Sequence, residues 1–195
     1  MRHEVGEPTP VVIARPSRQI DISIAEPFRK ELSEEWLTLV VDRALGVALN
    51  AEESAQVGLL VAGDATVREL NREFRGLDEV TDVLSFSATH PGHWQGSSEA
   101  PADRYAKPGD GPPPPFLLPP DEAPPLGEVI ISLPQARRQA QEQNELLDRE
   151  LALLIVHGVL HLAGHEHLET ADTAIMRDKE RTALQSIFQS GSGNG

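Results

Sequence analysis

The strongest chemical signal in the sequence is a group of histidines towards the end of the chain. His157 and His161 are four residues apart, and His167 follows shortly after Gly164. Residues four apart on a helix share a face, so these two imidazoles can bind a single metal ion. Gly164 can adopt the positive φ that ends a helix, and the turn can bring His167 to the same ion. The spacing therefore predicts a metal site with His157, His161 and His167 as its ligands.

Three imidazole ligands leave one coordination position for water, which is the arrangement of catalytic zinc and lowers the pKa of the bound water towards ~7. The chain has no cysteine, so thiolate ligands are excluded. We expect one Zn²⁺ per chain, although three imidazoles also accept nickel, cobalt or copper. His165 is the second choice for the third ligand, because it can bind only if the helix continues past Gly164.

A cluster of histidines can also be ordinary polar surface. Here the flanking residues Leu153–Val156 and Val159–Leu162 are apolar, which places the pair in a buried or cleft environment. Unpaired imidazoles in such an environment cost roughly 1–3 kcal/mol each. A shared metal ion removes that cost, so the metal site is the preferred interpretation.

The elements around the histidines predict an α+β fold, with a small mixed β-sheet of about four strands packed against about five helices. A central helix carries the metal-binding histidines. The predicted strands are Gln19–Ile24, Gln56–Ala62, Val83–Phe86 and Gly127–Ser132. The predicted helices cover Phe28–Leu49, Asp64 to about Phe74, a segment capped by Ser132 with Pro134 in its first turn, about Glu145–Ala163, and about Ala171–Phe188.

The 195 residues suit a single domain. Residues 1–16 lack periodicity and are expected to form a disordered arm, residues 17–189 the domain, and residues 190–195 a flexible tail. Most of the prolines lie in an insertion at residues 89–125. Strand-like segments flank this insertion, so we expect it to be a long loop that joins two neighbouring strands.

The charge and hydropathy of the chain limit its partners. A net charge of -14 argues against binding nucleic acid through bulk electrostatics, so an RNA substrate requires locally clustered arginines. No apolar run reaches the ~18 residues of a membrane span, and the first residues lack the apolar stretch of a signal peptide. A cytoplasmic protein with no membrane partner is expected.

The zinc-protease pattern H-E-x-x-H-x-x-G-x-x-H matches this segment at its histidines and at Gly164. Gly158, however, occupies the position of the glutamate that acts as general base. Glu166 lies beside the turn and not on the helix face after the first ligand. A metallopeptidase is therefore only a minor alternative.

Three separate segments, in this order, resemble the YbeY endoribonucleases, bacterial factors of ribosomal RNA maturation. The segments are Leu70–Phe86, Leu126–Ser132 and His157–His167, and the resemblance extends from about Gln19 to Phe188, interrupted by the insertion. The chain departs from the family pattern at His165, Glu166 and Val80, where tyrosine, aspartate and proline are usual. None of these departures removes a predicted metal ligand.

The resemblance implies a single-strand-specific, zinc-dependent endoribonuclease that acts in 16S ribosomal RNA 3′-end maturation and in ribosome quality control. Its expected partners are single-stranded rRNA and the small ribosomal subunit with its proteins, and not DNA. Arg75 matches the arginine of the family segment Leu70–Phe86 and is the catalytic candidate, because a cation near the phosphate assists cleavage. Arg68 and Arg72 are better explained as a solvated helix face. The alternative from another class is a ribosome-assembly factor in which zinc is structural.

Overall fold

The computed structural model describes residues 17–88, 123–165 and 170–189, and in these it shows an α+β domain built on a four-stranded mixed sheet. This architecture confirms the predicted fold class. Its elements in chain order are β1 (Arg18–Ile24), a short 3₁₀ turn (Glu26–Phe28), α1 (Glu34–Ala48), β2 (Ala55–Ala62), α2 (Asp64–Arg75), β3 (Val83–Ser87), β4 (Pro125–Ser132), α3 (Leu133–Gln143), α4 (Leu147–Leu162) and α5 (Thr170–Gln189).

The strands lie in the order β1-β2-β4-β3. β1 pairs in parallel with β2 and β2 with β4, whereas β3 runs antiparallel to β4 at the edge. The two strands that flank the insertion are therefore neighbours, as the sequence predicted. Their pairing aligns Leu84 with Ile130 and Ser87 with Gly127.

The two faces of the sheet are covered unequally. α2 packs on one face, where Val67 meets Leu84 and Ile130 in a small apolar cluster. The described helices α1, α3, α4 and α5 contribute to the large core on the other face. The face with the larger core is therefore the one that carries the predicted histidine helix.

α4 is the central helix of this large core. Its buried apolar residues are Leu151, Ala152, Leu154, Ile155, Val156, Val159, Leu160 and Leu162. They occupy most of the helix circumference, which agrees with a helix that has neighbours on several sides. α4 is thus held rigidly, and side chains on its remaining face have a fixed position.

One predicted helix start was wrong, whereas α2 begins at Asp64 as predicted but without Asp64 as its N-cap. α1 begins at Glu34 and not at Phe28, because the Ser33 hydroxyl accepts a hydrogen bond from the Trp36 amide at 3.2 Å and caps the helix there. Asp64 does not cap α2, since Gly63 is the N-cap and makes no side-chain bond. The Asp64 carboxylate instead accepts a hydrogen bond from the Ser132 hydroxyl at 2.5 Å.

Several predictions fall on residues outside the described ranges, namely the arm at 1–16, most of the insertion at 89–125, His167, Glu166 and the tail at 190–195. Within the described part, no helix is long and apolar enough to cross a membrane.

Candidate metal centre

The structure brings His157 and His161 together on α4. Their Nε2 atoms lie 3.1 Å apart, and their ring centroids are 4.5 Å apart with the rings nearly perpendicular. The helical spacing of four residues produces this proximity directly. Two imidazole nitrogens thus face the same small region of space at the C-terminal end of α4, as the sequence predicted.

The chain turns where the glycine predicted it would. Gly164 has a φ of 80°, and the amides of Gly164 and His165 bond back to the carbonyls of His161 and Leu160 at 3.0 Å each. After this turn the His165 ring lies against α1, with Nε2 3.4 Å from the Ala48 carbonyl oxygen. His165 is therefore directed towards α1. His167, the preferred third ligand, lies outside the described residues.

The second nitrogen of His157 has a partner that the sequence analysis missed. Nδ1 of His157 lies 2.8 Å from Oε1 of Glu180, which reaches it from α5. The Glu180 side chain is 16% exposed and that of His157 is 33% exposed, so the contact is shielded from bulk water. One ring nitrogen of His157 thus faces a carboxylate, and the other faces His161.

Gly158 lies on the face of α4 that touches the sheet. A Cβ at this position would come within 2.7 Å of Val129 Cγ1 and 3.1 Å of Ser85 Oγ. Glycine is therefore required for the close approach of α4 to β3 and β4. A glutamate here would point into the sheet, so the peptidase alternative has no place for its general base on this helix.

Arg75 lies at the C-terminus of α2 and forms part of a second polar cluster. Burial lowers the pKa of its guanidinium below the usual value, and the charge of Asp82 opposes that effect. Glu150 of α4 is buried, and burial followed by the charges of Asp82 and Glu145 raises the pKa of its carboxyl. Asp82, at the start of the edge strand β3, therefore interacts with residues from both α2 and α4.

Other polar residues of the family-like segment Leu70–Phe86, and Arg68 just before it, have structural roles. Asp82 Oδ1 accepts bonds from the Val83 amide at 2.8 Å and from the Thr81 hydroxyl at 3.1 Å, so it fixes the start of β3. Asn71 is buried, and its amide donates to the Glu79 carbonyl at 3.0 Å, which ties down the loop after α2. Arg68 makes a two-point, exposed ion pair with Asp78 at 2.8 and 3.0 Å.

A basic groove includes Glu180, the partner of His157, among its lining residues, and sequence reasoning did not find it. The groove encloses about 590 Å³ between α4 and α5 and is lined by Arg149, Arg177, Glu180, Arg181, Leu184, Gln185, Phe188 and Gln189. The arginines come from two helices, so no single stretch of sequence reveals the cluster.

The histidine pair fits a zinc ion by a geometric test. Two nitrogens bound to zinc at ~2.0–2.1 Å in a tetrahedral site are about 3.3 Å apart. The observed separation of 3.1 Å between the two Nε2 atoms is close to that value. No third histidine, aspartate or glutamate completes a ligand group within residues 17–88, 123–165 and 170–189. The predicted third ligand, His167, lies in the short stretch between the last two ranges.

The molecule is thus an α+β protein with a candidate metal centre: its central helix carries a histidine pair, and a carboxylate faces the outer nitrogen of one imidazole. Comparison with known proteins assigns the family. The profile of the family described as Endoribonuclease YbeY matches residues 19–188, and the chain belongs to that family.

Relatives of similar length support this assignment. The chain is 40% identical over 169 residues to the Endoribonuclease YbeY of Dehalococcoides mccartyi strain CBDB1, covering 87% of this chain and 93% of the relative. It is also 40% identical over 156 residues to the protein of the same name from Moorella thermoacetica, covering 78% and 88% of the two chains.

The fold has a counterpart among solved structures. The solution structure of TM1509 from Thermotoga maritima superimposes with a TM-score of 0.53 at 21% identity, covering 88% of this chain and 91% of that chain. At this level of identity the likeness concerns the fold alone.

Proposed function

We propose that this protein is a cytoplasmic, single-strand-specific, zinc-dependent endoribonuclease that acts in 16S rRNA 3′-end maturation and ribosome quality control. Membership of the Endoribonuclease YbeY family supports RNA hydrolysis. The observation that carries the metal dependence is the 3.1 Å separation of the His157 and His161 Nε2 atoms on one face of α4. The proposed substrate is single-stranded rRNA, and the proposed partner is the small ribosomal subunit with its proteins.

His157 and His161, together with His167, would hold the zinc ion. When bound, zinc supplies a Lewis acid that activates water and stabilises negative charge at a phosphate. The protein supplies the rigid platform: α4 is packed into the core on several sides, so the two imidazoles need no reorganisation to face the same point. Such preorganisation is the main way in which a protein assists the chemistry of a metal ion.

Arg75 is the proposed cation that binds the reacting phosphate. Its guanidinium is half-buried, and burial strengthens the interaction of a charge with an incoming phosphate because water screens it less. Asp82 lies close enough for its charge to favour the charged form of Arg75. Phe74, its neighbour in the chain, packs on Phe86 of β3 with the ring centroids 5.1 Å apart, which fixes the end of α2.

The basic groove offers a route for the RNA backbone, and Glu180 in its lining connects it to His157. Arg181 and Arg149 have carboxylate neighbours in Asp178 and Glu145, whereas no ion pair of Arg177 occurs within the described residues. Such a local cluster is what an acidic protein requires to bind RNA, and the affinity should fall steeply with salt. This arrangement agrees with modest, salt-sensitive binding of single strands.

A purely structural zinc is the less favoured alternative. The large core is assembled from apolar residues of four helices and the sheet, and the histidine pair lies on a partly exposed face outside it. A domain of this kind does not need a metal ion to bury its apolar surface. We therefore expect chelation to leave the domain folded.

The test is cleavage of single-stranded RNA from the 3′ end of small-subunit rRNA, with DNA of the same sequence and unfolded casein as comparison substrates. Wild type should cleave the RNA only, and His161→Ala should abolish cleavage. Arg75→Ala should lower kcat by about 10²–10³-fold, as for loss of a charge-stabilising donor. The matched control is Arg68→Ala, because Arg68 is on the same helix but exposed and paired with Asp78. Equal cleavage by wild type and His161→Ala would refute the proposal.

A further inference from the structure

Glu180 occupies an unexpected position in α5. The residues of α5 that face the core are Met176, Ala183 and Ile187, all buried. Glu180 lies four residues after Met176 and three before Ala183, so it belongs to the same helical stripe. A carboxylate in an apolar stripe loses hydration and is retained only where a partner compensates for that loss.

His157 is that partner. The Glu180 carboxylate is 2.8 Å from His157 Nδ1 and only 16% exposed. α5 is anchored next to this contact, since the neighbouring Lys179 donates a hydrogen bond to the Val47 carbonyl of α1. The Glu180 carboxylate is therefore held between His157 of α4 and a segment of α5 that is bonded to α1, and it is not an exposed surface side chain.

The contact selects between the two neutral forms of the His157 ring. An ionised carboxylate accepts hydrogen bonds but donates none, so the nitrogen that faces it carries the hydrogen. The proton then resides on Nδ1, and the lone pair resides on Nε2, the atom that lies 3.1 Å from His161 Nε2. The carboxylate thus leaves Nε2 available as a metal ligand.

We infer that Glu180 is a positioning residue of the metal centre: it holds His157 in the tautomer and ring orientation that present Nε2 to the ion. This inference rests on the proposed zinc site. A carboxylate that accepts from the outer nitrogen of a histidine ligand fixes the ring and raises its basicity, and its removal typically lowers metal affinity by about 10–100-fold. Glu180 does not touch the substrate, so its effect on cleavage passes through the ion.

The experiment compares the zinc affinity of the full-length wild type, Glu180→Gln, Glu180→Met and a matched control. Asp178→Asn is the control, because Asp178 is an exposed acid on the same helix that pairs with Arg181. Apo-protein is titrated with Zn²⁺ against a chromophoric chelator, and the melting temperature of each apo-protein is recorded separately. Co²⁺ replaces Zn²⁺ in a parallel titration, in which the absorption spectrum reports the ligand geometry.

Glu180→Met should lower zinc affinity by about 10–100-fold, and Glu180→Gln should lower it less because an amide oxygen can still accept from Nδ1. The apo-protein of Glu180→Met should melt near the wild-type temperature, because methionine suits the stripe of Met176, Ala183 and Ile187 and the His157 ring, 33% exposed, can replace the lost acceptor with water. A loss of metal affinity without a matching loss of apo stability is not expected for a residue that serves packing alone. Asp178→Asn should match wild type.

The outcomes separate this inference from the proposed function. Equal zinc affinity of wild type and Glu180→Met would overturn the role of Glu180 while leaving the ribonuclease proposal intact. Tight zinc binding by wild type without RNA cleavage would overturn the ribonuclease proposal, and the affinities of the variants would still decide the role of Glu180. A wild-type protein that binds no zinc would overturn both.

Discussion

The close packing of α4 on the sheet at Gly158 gives a quantitative prediction. Replacement of Gly158 by alanine adds one Cβ, which would lie 2.7 Å from Val129 Cγ1 and 3.1 Å from both Val129 Cγ2 and Ser85 Oγ. Ordinary carbon contacts begin near ~3.5 Å. The helix or the two strands must therefore move apart by several tenths of an ångström, and the histidine pair next to Gly158 moves with the helix.

Two opposing terms determine the size of the effect. Alanine is favoured over glycine inside a helix by about 0.8–1 kcal/mol, whereas overpacking of a well-packed core typically costs about 1–3 kcal/mol. Gly46 of α1 provides a control in which the first term acts alone. A Cβ on Gly46 would have only an ordinary contact, 3.7 Å from Arg18 Nη1. The difference in the free energy of unfolding between the two variants should therefore be about 1–3 kcal/mol.

Urea unfolding of the apo-proteins measures this difference. Gly46→Ala should be more stable than wild type, and Gly158→Ala should be less stable than Gly46→Ala by the overpacking term. Zinc titration should also show weaker binding by Gly158→Ala, because the helix that carries His157 and His161 is displaced. If both glycine variants gain stability equally, the tight approach of α4 to the sheet at this point is refuted.

Three further predictions concern single contacts. Glu150→Gln should raise the melting temperature at pH 8, because burial raises the pKa of this carboxyl, and stability is therefore lost as the pH rises through the folded pKa. The gain should shrink as the pH falls through that raised pKa and should be largely absent below the free-glutamate value of ~4.3. An equal gain at pH 4 and pH 8 would contradict this. Ser33→Ala should remove the cap of α1, cost about 1 kcal/mol and lower the melting temperature by roughly 2–4 °C, whereas Ser33→Asp should not. Gly127→Ala should lower the free energy of unfolding in urea by roughly 3 kcal/mol, since φ is +142° and a Cβ would lie 2.1 Å from the Phe86 carbonyl oxygen. A smaller loss than that of Ser33→Ala would contradict this prediction.

Local pattern was sufficient to predict the elements but not their arrangement. Alternation and apolar runs identified all four described strands, and the two strand-like ends of the insertion identified β3 and β4 as neighbours. The order β1-β2-β4-β3 depends on contacts between distant segments, which periodicity does not encode. Leu32 illustrates the limit: it packs against the core one residue before the Ser33 cap, so its apolar character extended the predicted helix beyond the true start of α1.

Sequence periodicity also failed to identify which face of α5 is buried. The apolar residues Ile175, Leu184 and Ile187 form a stripe that predicts core packing, but Ile175 is 52% exposed and Leu184 is only partly buried. Met176 and Ala183 occupy the buried face with Ile187 instead. The orientation of a helix about its axis is set by its neighbours, and several apolar stripes on one helix can satisfy the same periodicity.

In the candidate site, too, the contacts between residues near in sequence were predictable, whereas the contact between distant residues was not. His157 and His161 could be paired from the sequence because one turn of helix joins them, and Gly164 because a positive φ favours glycine. Glu180 is 23 residues from His157 and reaches it only through the packing of α5 on α4. The sequence nevertheless contains a signal for Glu180, since this acidic residue interrupts the apolar stripe of Met176, Ala183 and Ile187. A charge in such a position requires a buried partner, and in a protein with a candidate metal helix the histidines are the first partners to consider.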